Sequence, residues 1–362
     1  MNKTSPSTRL WTARCPMFSW MLAVPGFLAI LLGTACAPAQ AQTDEAKPIP
    51  ILTGGAALLS NVKDGQPQVL TVAAPVLLVP LGDRFLIETR SKMQDIFERS
   101  DAAGWYGATS TQGLDYLQAD YIANRYVTVT VGRFLTPFGM FNERMLPFWI
   151  RCLQNTPLIY PIATGSSDGA MLRGGISSGK ANINYALYFS TLSTNAVLKS
   201  DRTAGGRIGM FLPGKRIEVG ASFQQLLQQD RSRTVGMHFA WQPKAIPMNL
   251  RSEYARSGMK GSGIWIESDY RLSQIPHARK MEVVSRAQKY RVGKLASADA
   301  VNLGLPAADT FEMDFGFNYY LRDGMKATTS YGRQFSTAKD SNIWTAGMSY
   351  RFVVPLGPKD MR

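Results

Sequence analysis

Histidine and cysteine are nearly missing from this chain of 362 residues, which has two of the first and three of the second. With so few, a zinc centre spaced by Cys and His pairs has no basis, and neither has a disulfide framework. Only His238 and His277 could serve a histidine-based catalytic group. Neither has a nearby Ser or Asp pattern of catalytic type, and no P-loop, GxSxG or HExxH motif occurs. The sequence therefore gives no catalytic residue, no metal ligand set and no cofactor, and points away from an enzyme such as a phospholipase or protease barrel. Helical periodicity is also absent after residue 45, and one long apolar run stands alone. That run, FSWMLAVPGFLAILLGTACAPAQA, follows Lys3, Arg9 and Arg14 and ends in Ala39-Gln40-Ala41. It reads as a secretory leader over 1–41, cut before Gln42. Beyond the leader, 37 basic and 26 acidic side chains remain, a formal +11, with Cys152 the one cysteine left. Export and the lack of a basic run argue against a nucleic-acid partner.

What the sequence does have is alternation. In TFEMDFGFNYYL (310–321), Phe311, Met313, Phe315, Phe317 and Tyr319 share one parity; Glu312, Asp314, Gly316 and Asn318 share the other. The same period of two recurs in ANINYALYFS, KRIEVGASFQQLL and IWTAGMSYRF. Tight-turn residues, as in Pro213-Gly214-Lys215 and Arg322-Asp323-Gly324, alternate with longer links, as at 98–112, 135–167 and 289–307. Sixteen strands fit between residues 51 and 354, an even number that returns the chain to its starting side. The polar faces, with Arg, Glu, Asp, Gln and Asn, are too polar for a core, and no helix is available to cover the apolar ones. The expected fold is all-β: a closed antiparallel up-and-down transmembrane β-barrel with lipid outside and water inside. Trp241, Tyr254, Tyr270, Tyr319, Tyr350 and Phe352 lie on the lipid parity, where aromatic rings favour the interface. A soluble sandwich or propeller would use the same strands with the faces reversed.

The expected organisation is a leader (1–41), a short periplasmic segment (42–50), the barrel (51–354) and a C-terminal extension (355–362). The barrel contains a constricting loop at 135–167, LTPFGMFNERMLPFWIRCLQNTPLIYPIATGSS. That loop is long and too apolar for a disordered one. Folded into the lumen, it would narrow the pore, with Phe141, Arg144, Trp149, Arg151 and Tyr160 as candidate constriction or solute-binding residues beside Arg173 of the following strand. By parity, Arg90, Arg207, Arg216, Arg251, Arg271, Lys326 and Arg351 face the lumen, interspersed with acids that include Glu218, Glu253, Glu267 and Asp314. The modest basic excess implies a weak preference for anions.

The segment VTVTVGRFLTPFGMFNER (127–144) resembles the strand and constricting loop of the phosphate-selective porin O and P family. The resemblance covers roughly twenty residues and is architectural elsewhere. It implies a sixteen-stranded general or anion-preferring porin of the Gram-negative outer membrane, commonly trimeric. Phosphate specificity does not transfer, because that family's phosphate-binding arginines find no counterpart by motif. The chain also runs ten residues past Phe352, where such barrels usually end in an aromatic residue. The expected partners are outer-membrane lipid, small hydrophilic solutes including anions, and further copies of the chain. The expected function is passive diffusion of those solutes. Two other readings stay open: a channel specific for oligosaccharide or hydrophobic solutes, and a non-conducting structural barrel.

Overall fold

The computed structural model describes residues 49–99, 106–195, 198–228 and 231–357. The leader, its cleavage point and the last five residues lie outside these. Sixteen strands make up nearly all of it: β1 (Ile51–Lys63), β2 (Gln66–Leu81), β3 (Phe85–Arg99), β4 (Tyr106–Ile122), β5 (Thr128–Leu135), β6 (Ser166–Ser178), β7 (Ala181–Ser190) and β8 (Thr203–Leu212) in the first half. The second half holds β9 (Ile217–Leu226), β10 (Arg233–Trp241), β11 (Met248–Ser257), β12 (Gly261–Arg271), β13 (Met281–Arg291), β14 (Thr310–Arg322), β15 (Met325–Ser336) and β16 (Ser341–Pro355). Each strand is antiparallel to the next, and β1 pairs with β16 from Ile51 opposite Pro355 to Lys63 opposite Ile343. Closure leaves the sheet without an edge, so every strand has a partner on both sides.

The side chains are arranged inside out relative to a soluble sheet. On β14, Thr310, Glu312, Asp314 and Asn318 are buried while Phe311, Met313, Phe315, Phe317 and Tyr319 are exposed. On β16, Ser341, Thr345 and Ser349 are buried while Trp344, Met348 and Tyr350 are exposed. In water, leaving such side chains uncovered would forgo roughly 1.5–3 kcal/mol each. Hydrocarbon removes that cost, and the expected polar lumen lies on the opposite face. Among the described residues no helix is long and apolar enough to cross a membrane; the apolar band belongs to the strands. Two aromatic pairs, Phe85 with Tyr121 and Tyr331 with Trp344, stand on this outer face.

Two local expectations need correction. The link expected at 98–112 is mostly strand, because β3 reaches Arg99 and β4 begins at Tyr106. Its sequence, GATSTQG, is polar on both parities and carries no alternation, yet the backbone ladder continues from Glu98 opposite Gly107 to Lys92 opposite Gly113. Hydrogen bonding of the main chain does not depend on which face is apolar. The elaborated end also has tight turns, at 64–65 and 258–260, so the alternation of loop lengths is incomplete.

Candidate permeation site inside the barrel

The connection from β5 to β6 turns inward and crosses the lumen. Its neck is tied first: the Thr136 N–H donates to the Gly165 carbonyl at 3.1 Å. Asn142 Nδ2 donates to the carbonyls of Thr136 (2.9 Å) and Gly165 (2.7 Å). One flank then docks on β8–β11. The Glu253 carboxylate accepts the N–H groups of Met140 (2.9 Å) and Phe141 (3.1 Å), and Ser222 Oγ accepts that of Gly139 (2.9 Å). Arg207 donates to the Gly139 carbonyl at 3.0 Å and pairs with Glu143; Arg144 pairs with Glu218 at 2.6 Å. Gly139 has φ +62°, and a Cβ there would lie 2.0 Å from Glu253 Oε1. Only glycine accepts both that backbone region and that approach.

The opposite flank docks on β13–β15. Gln288 Oε1 accepts the Leu158 N–H (2.9 Å), Arg286 donates to the Asn155 carbonyl (2.9 Å), and Gln154 Nε2 donates to Thr328 Oγ1 (3.2 Å). Lys326 donates to the Arg151 carbonyl. Between the flanks the loop builds its own core. Phe138, Met140, Phe141, Met145, Ile159 and Ile162 pack with Trp265 and Tyr290 of the wall. Ala300, from the short helix α1 (Ser297–Asn302), and Leu305, both from the β13–β14 connection, complete it. The indole of Trp149 reaches β1, where a Cβ on Gly55 would stand 2.5 Å from Cε3.

These hydrogen bonds tie the loop to β8–β15 rather than to β1–β4. A cleft of about 260 Å³ remains between the loop and β1–β4. Leu59, Leu70, Val72 and Ala74 form its wall; Leu146, Pro147, Phe148, Trp149, Arg151 and Tyr160 come from the loop. Arg90, Lys92, Gln94 and Asp115 supply most of the remaining polar lining. A register shift in β3–β4 sets two of these side by side. Arg90 faces Tyr116 and Ser91 faces Leu114, so Asp115 is an extra residue at a β-bulge. Its carboxylate holds Arg90 Nε at 2.7 Å.

The candidate residues separate on this geometry. Arg151, Trp149 and Tyr160 line the cleft. Arg151 also pins the loop, donating to the carbonyls of Leu146 (2.9 Å) and Gln154 (3.1 Å). Burial lowers its pKa to about 10, which leaves it cationic at neutral pH. Phe141 is instead enclosed in the loop core, edge-on to Tyr160 and Trp265. Arg144 is spent on Glu218, whose hydrogen bond raises the Arg144 pKa. Arg173 pairs with Asp120 at 3.2 Å, on the part of β6 that leads to the 179–180 turn and away from the loop. Of the expected lumen charges, Arg251 binds Asp269 and Glu267, and Arg271 lies over the Tyr320 ring at 4.5 Å. Arg351 is exposed near the end of β16. Arg216 is a correction: β9 begins one residue later, and Arg216 occupies the turn with φ +52° and a bond to Gln242. Left-handed backbone takes it off the strand parity.

Glu253, read in the sequence only as one lumen acid, is the main clamp of the loop, and Gly139 is its counterpart. Nothing in a single sequence pairs residues so far apart. The apolar wall did leave a signal. VLTVAAPVLLVP (69–80) is apolar on both parities, so its lumen face had to be apolar as well. Cys152 Sγ, Asp269 and Glu282 offer three donor atoms within 4.8 Å of one another. They are already engaged by protein groups: Arg251 contacts the first two, and Asn318 and Tyr320 donate to Glu282. His238 is enclosed at 3.5 Å from Glu218, and among the described residues no serine or cysteine hydrogen-bonds either ring nitrogen.

No protein-family model matches the chain, and no curated protein is similar to it. Similarity is found among solved structures, outer-membrane porins among them. Salmonella typhi OmpF in complex with daunomycin has a TM-score of 0.56 at 11% identity, over 83% of this chain and 97% of that one. A mutant of the Rh. blastica porin has 0.52 at 12%, over 83% and 100%. A loop-deletion form of OmpT, an outer membrane protein of Vibrio cholerae, has 0.52 at 10%, over 84% and 100%. At these identities the likeness establishes the fold: a closed porin-type β-barrel. The narrower resemblance to phosphate-selective porins has no family match behind it.

Proposed function

We propose that the chain is an outer-membrane channel for passive diffusion of small solutes, exported by a leader cleaved before Gln42 and assembled from several copies. The observation that carries this reading is the inverted alternation in a closed barrel, combined with a loop that narrows the lumen and leaves one side open. No other arrangement of these strands gives both apolar faces a suitable solvent and polar faces a wet interior. A preference for anions follows from the cleft, where Arg90, Lys92 and Arg151 outnumber the single carboxylate of Asp115. Phosphate specificity is not part of the proposal. The many bonds from the loop to β8–β15 favour one competing reading, a barrel that the loop closes.

The test is conductance of refolded protein in a planar bilayer, with the reversal potential read across a salt gradient. A steady ohmic current with reversal toward the anion potential is the expected result. Reversal toward the cation potential would overturn the anion preference and keep the channel. A folded barrel that carries no current would overturn the channel and support the closed reading.

A further inference from the structure

We infer that the cleft between the loop and β1–β4 is a binding site for small monoanions with an apolar body, such as an arylsulfonate. The inference rests on the channel reading above and names the solute that reading leaves open.

Three observations meet in one place. The first is charge. Arg90, Lys92 and Arg151 face one cleft with only Asp115 against them, which leaves a net charge of +2. Under the loop, two arginines instead meet carboxylates directly: Arg286 bonds Asp314 at 3.1 Å, and Arg251 bonds Glu267 at 3.1 Å. The second is an unsatisfied donor. Arg90 is 4% exposed and its Nε is held by Asp115, but its Nη2 is enclosed without a hydrogen-bond partner. A buried guanidinium N–H left without an acceptor is costly, and a shift of the side chain that brings Nη2 to the cleft surface would let an anionic oxygen satisfy it. Lys92 adds an exposed ammonium on the same face of β3, and Arg151 has only carbonyl acceptors. The third is the opposite wall. Leu59, Leu70, Val72 and Ala74 are apolar where a general pore needs wet walls, and Trp149 and Phe148 close over them. Phosphate or chloride would gain nothing from that wall, and a neutral hydrocarbon nothing from the cations. A molecule with one anionic group and one apolar ring uses both. About 260 Å³ suits a single such ring more than a long oligosaccharide.

The probe is 4-fluorobenzenesulfonate, which stays ionised across the accessible pH range and so does not cross the bilayer as a neutral acid. Two readouts are taken on the refolded barrel: block of the chloride current and broadening of the 19F resonance. Methanesulfonate supplies the charge without the ring, and 4-fluorobenzenesulfonamide the ring without the charge. The expected half-blocking concentration of each control is roughly tenfold higher than that of the probe. Lys92→Gln should raise the probe's half-blocking concentration by roughly fivefold. It spares the Arg90–Asp115 pair, so a folded barrel is expected. Leu70→Gln should weaken the arylsulfonate and leave methanesulfonate unchanged. Equal block by probe and methanesulfonate would overturn the role of the wall, and equal block by the sulfonamide would overturn the role of the cations. Normal current with neither block nor broadening would overturn the inference and leave the channel standing. Absence of current would overturn the channel; 19F broadening lost in Lys92→Gln would then still locate the binding site, and unbroadened signal would remove it too.

Discussion

The two sides of the lumen are built from the same kind of strand and end in opposite states. On the β8–β15 side, inward polar groups are consumed by the loop: Glu253 by two backbone N–H groups, Gln288 by Leu158, Arg286 by Asn155. Arg286 also pairs with Asp314, and Arg251 with Glu267 and Asp269. On the β1–β4 side the loop touches the wall chiefly through Trp149 over Gly55, and the inward face is partly apolar. A flexible segment is held where the wall offers acceptors and donors that match its own backbone. Where the wall offers Leu and Val, it stands off. The polarity of the wall thus decides where the loop docks, and the proposed passage lies opposite the docking side.

The sharpest way to break this contrast is to remove the clamp. Glu253→Ala leaves the N–H groups of Met140 and Phe141 without acceptors, at about 1–3 kcal/mol per donor. The loop should detach, conductance should rise, and trypsin should cut at Arg144 or Arg151 in the variant while sparing the parent. Gly139→Ala attacks the same contact from the loop, adding a left-handed φ cost of roughly 1–2 kcal/mol to the clash with the carboxylate. It should reproduce the protease sensitivity at lower amplitude, as read by the cutting rate. On the open side, Gly55→Val should push the Trp149 indole into the cleft and lower the single-channel conductance without exposing the loop to trypsin. The smallest effect belongs to Arg144→Gln. Its side chain is 40% exposed, and pairs of this kind contribute roughly 0–1 kcal/mol. Loop docking should survive, with conductance close to that of the parent.

How much of this was legible varied with the range of the interaction. Strand number and facing were readable because the period of two is local, and a run such as 310–321 states both faces within a few residues. The inward parity of Arg90, Arg207, Arg251 and Lys326 followed from the same rule. Arg216 escaped it because a single left-handed residue ends the strand. The polar half of the β3–β4 extension escaped because its pairing is carried by main-chain bonds that side-chain chemistry does not report. Within the loop, the sequence picked out the aromatic and basic residues but could not sort them. Phe141 and Trp149 look alike in composition. Whether a ring enters a core or a cleft depends on Trp265 and Gly55, which lie more than ninety residues away on either side. Glu253 was one acid among several until Gly139 was seen against it.

The most direct test of the partition is thiol accessibility from the aqueous phase. In a Cys152→Ser background, cysteine is placed either at Leu59, on the cleft, or at Val284, under the loop, and an anionic methanethiosulfonate is added while the current is recorded. The account predicts that Leu59→Cys channels lose most of their conductance on modification and that Val284→Cys channels are unaffected. Block at Val284→Cys with none at Leu59→Cys would place the passage on the other side of the loop and contradict it.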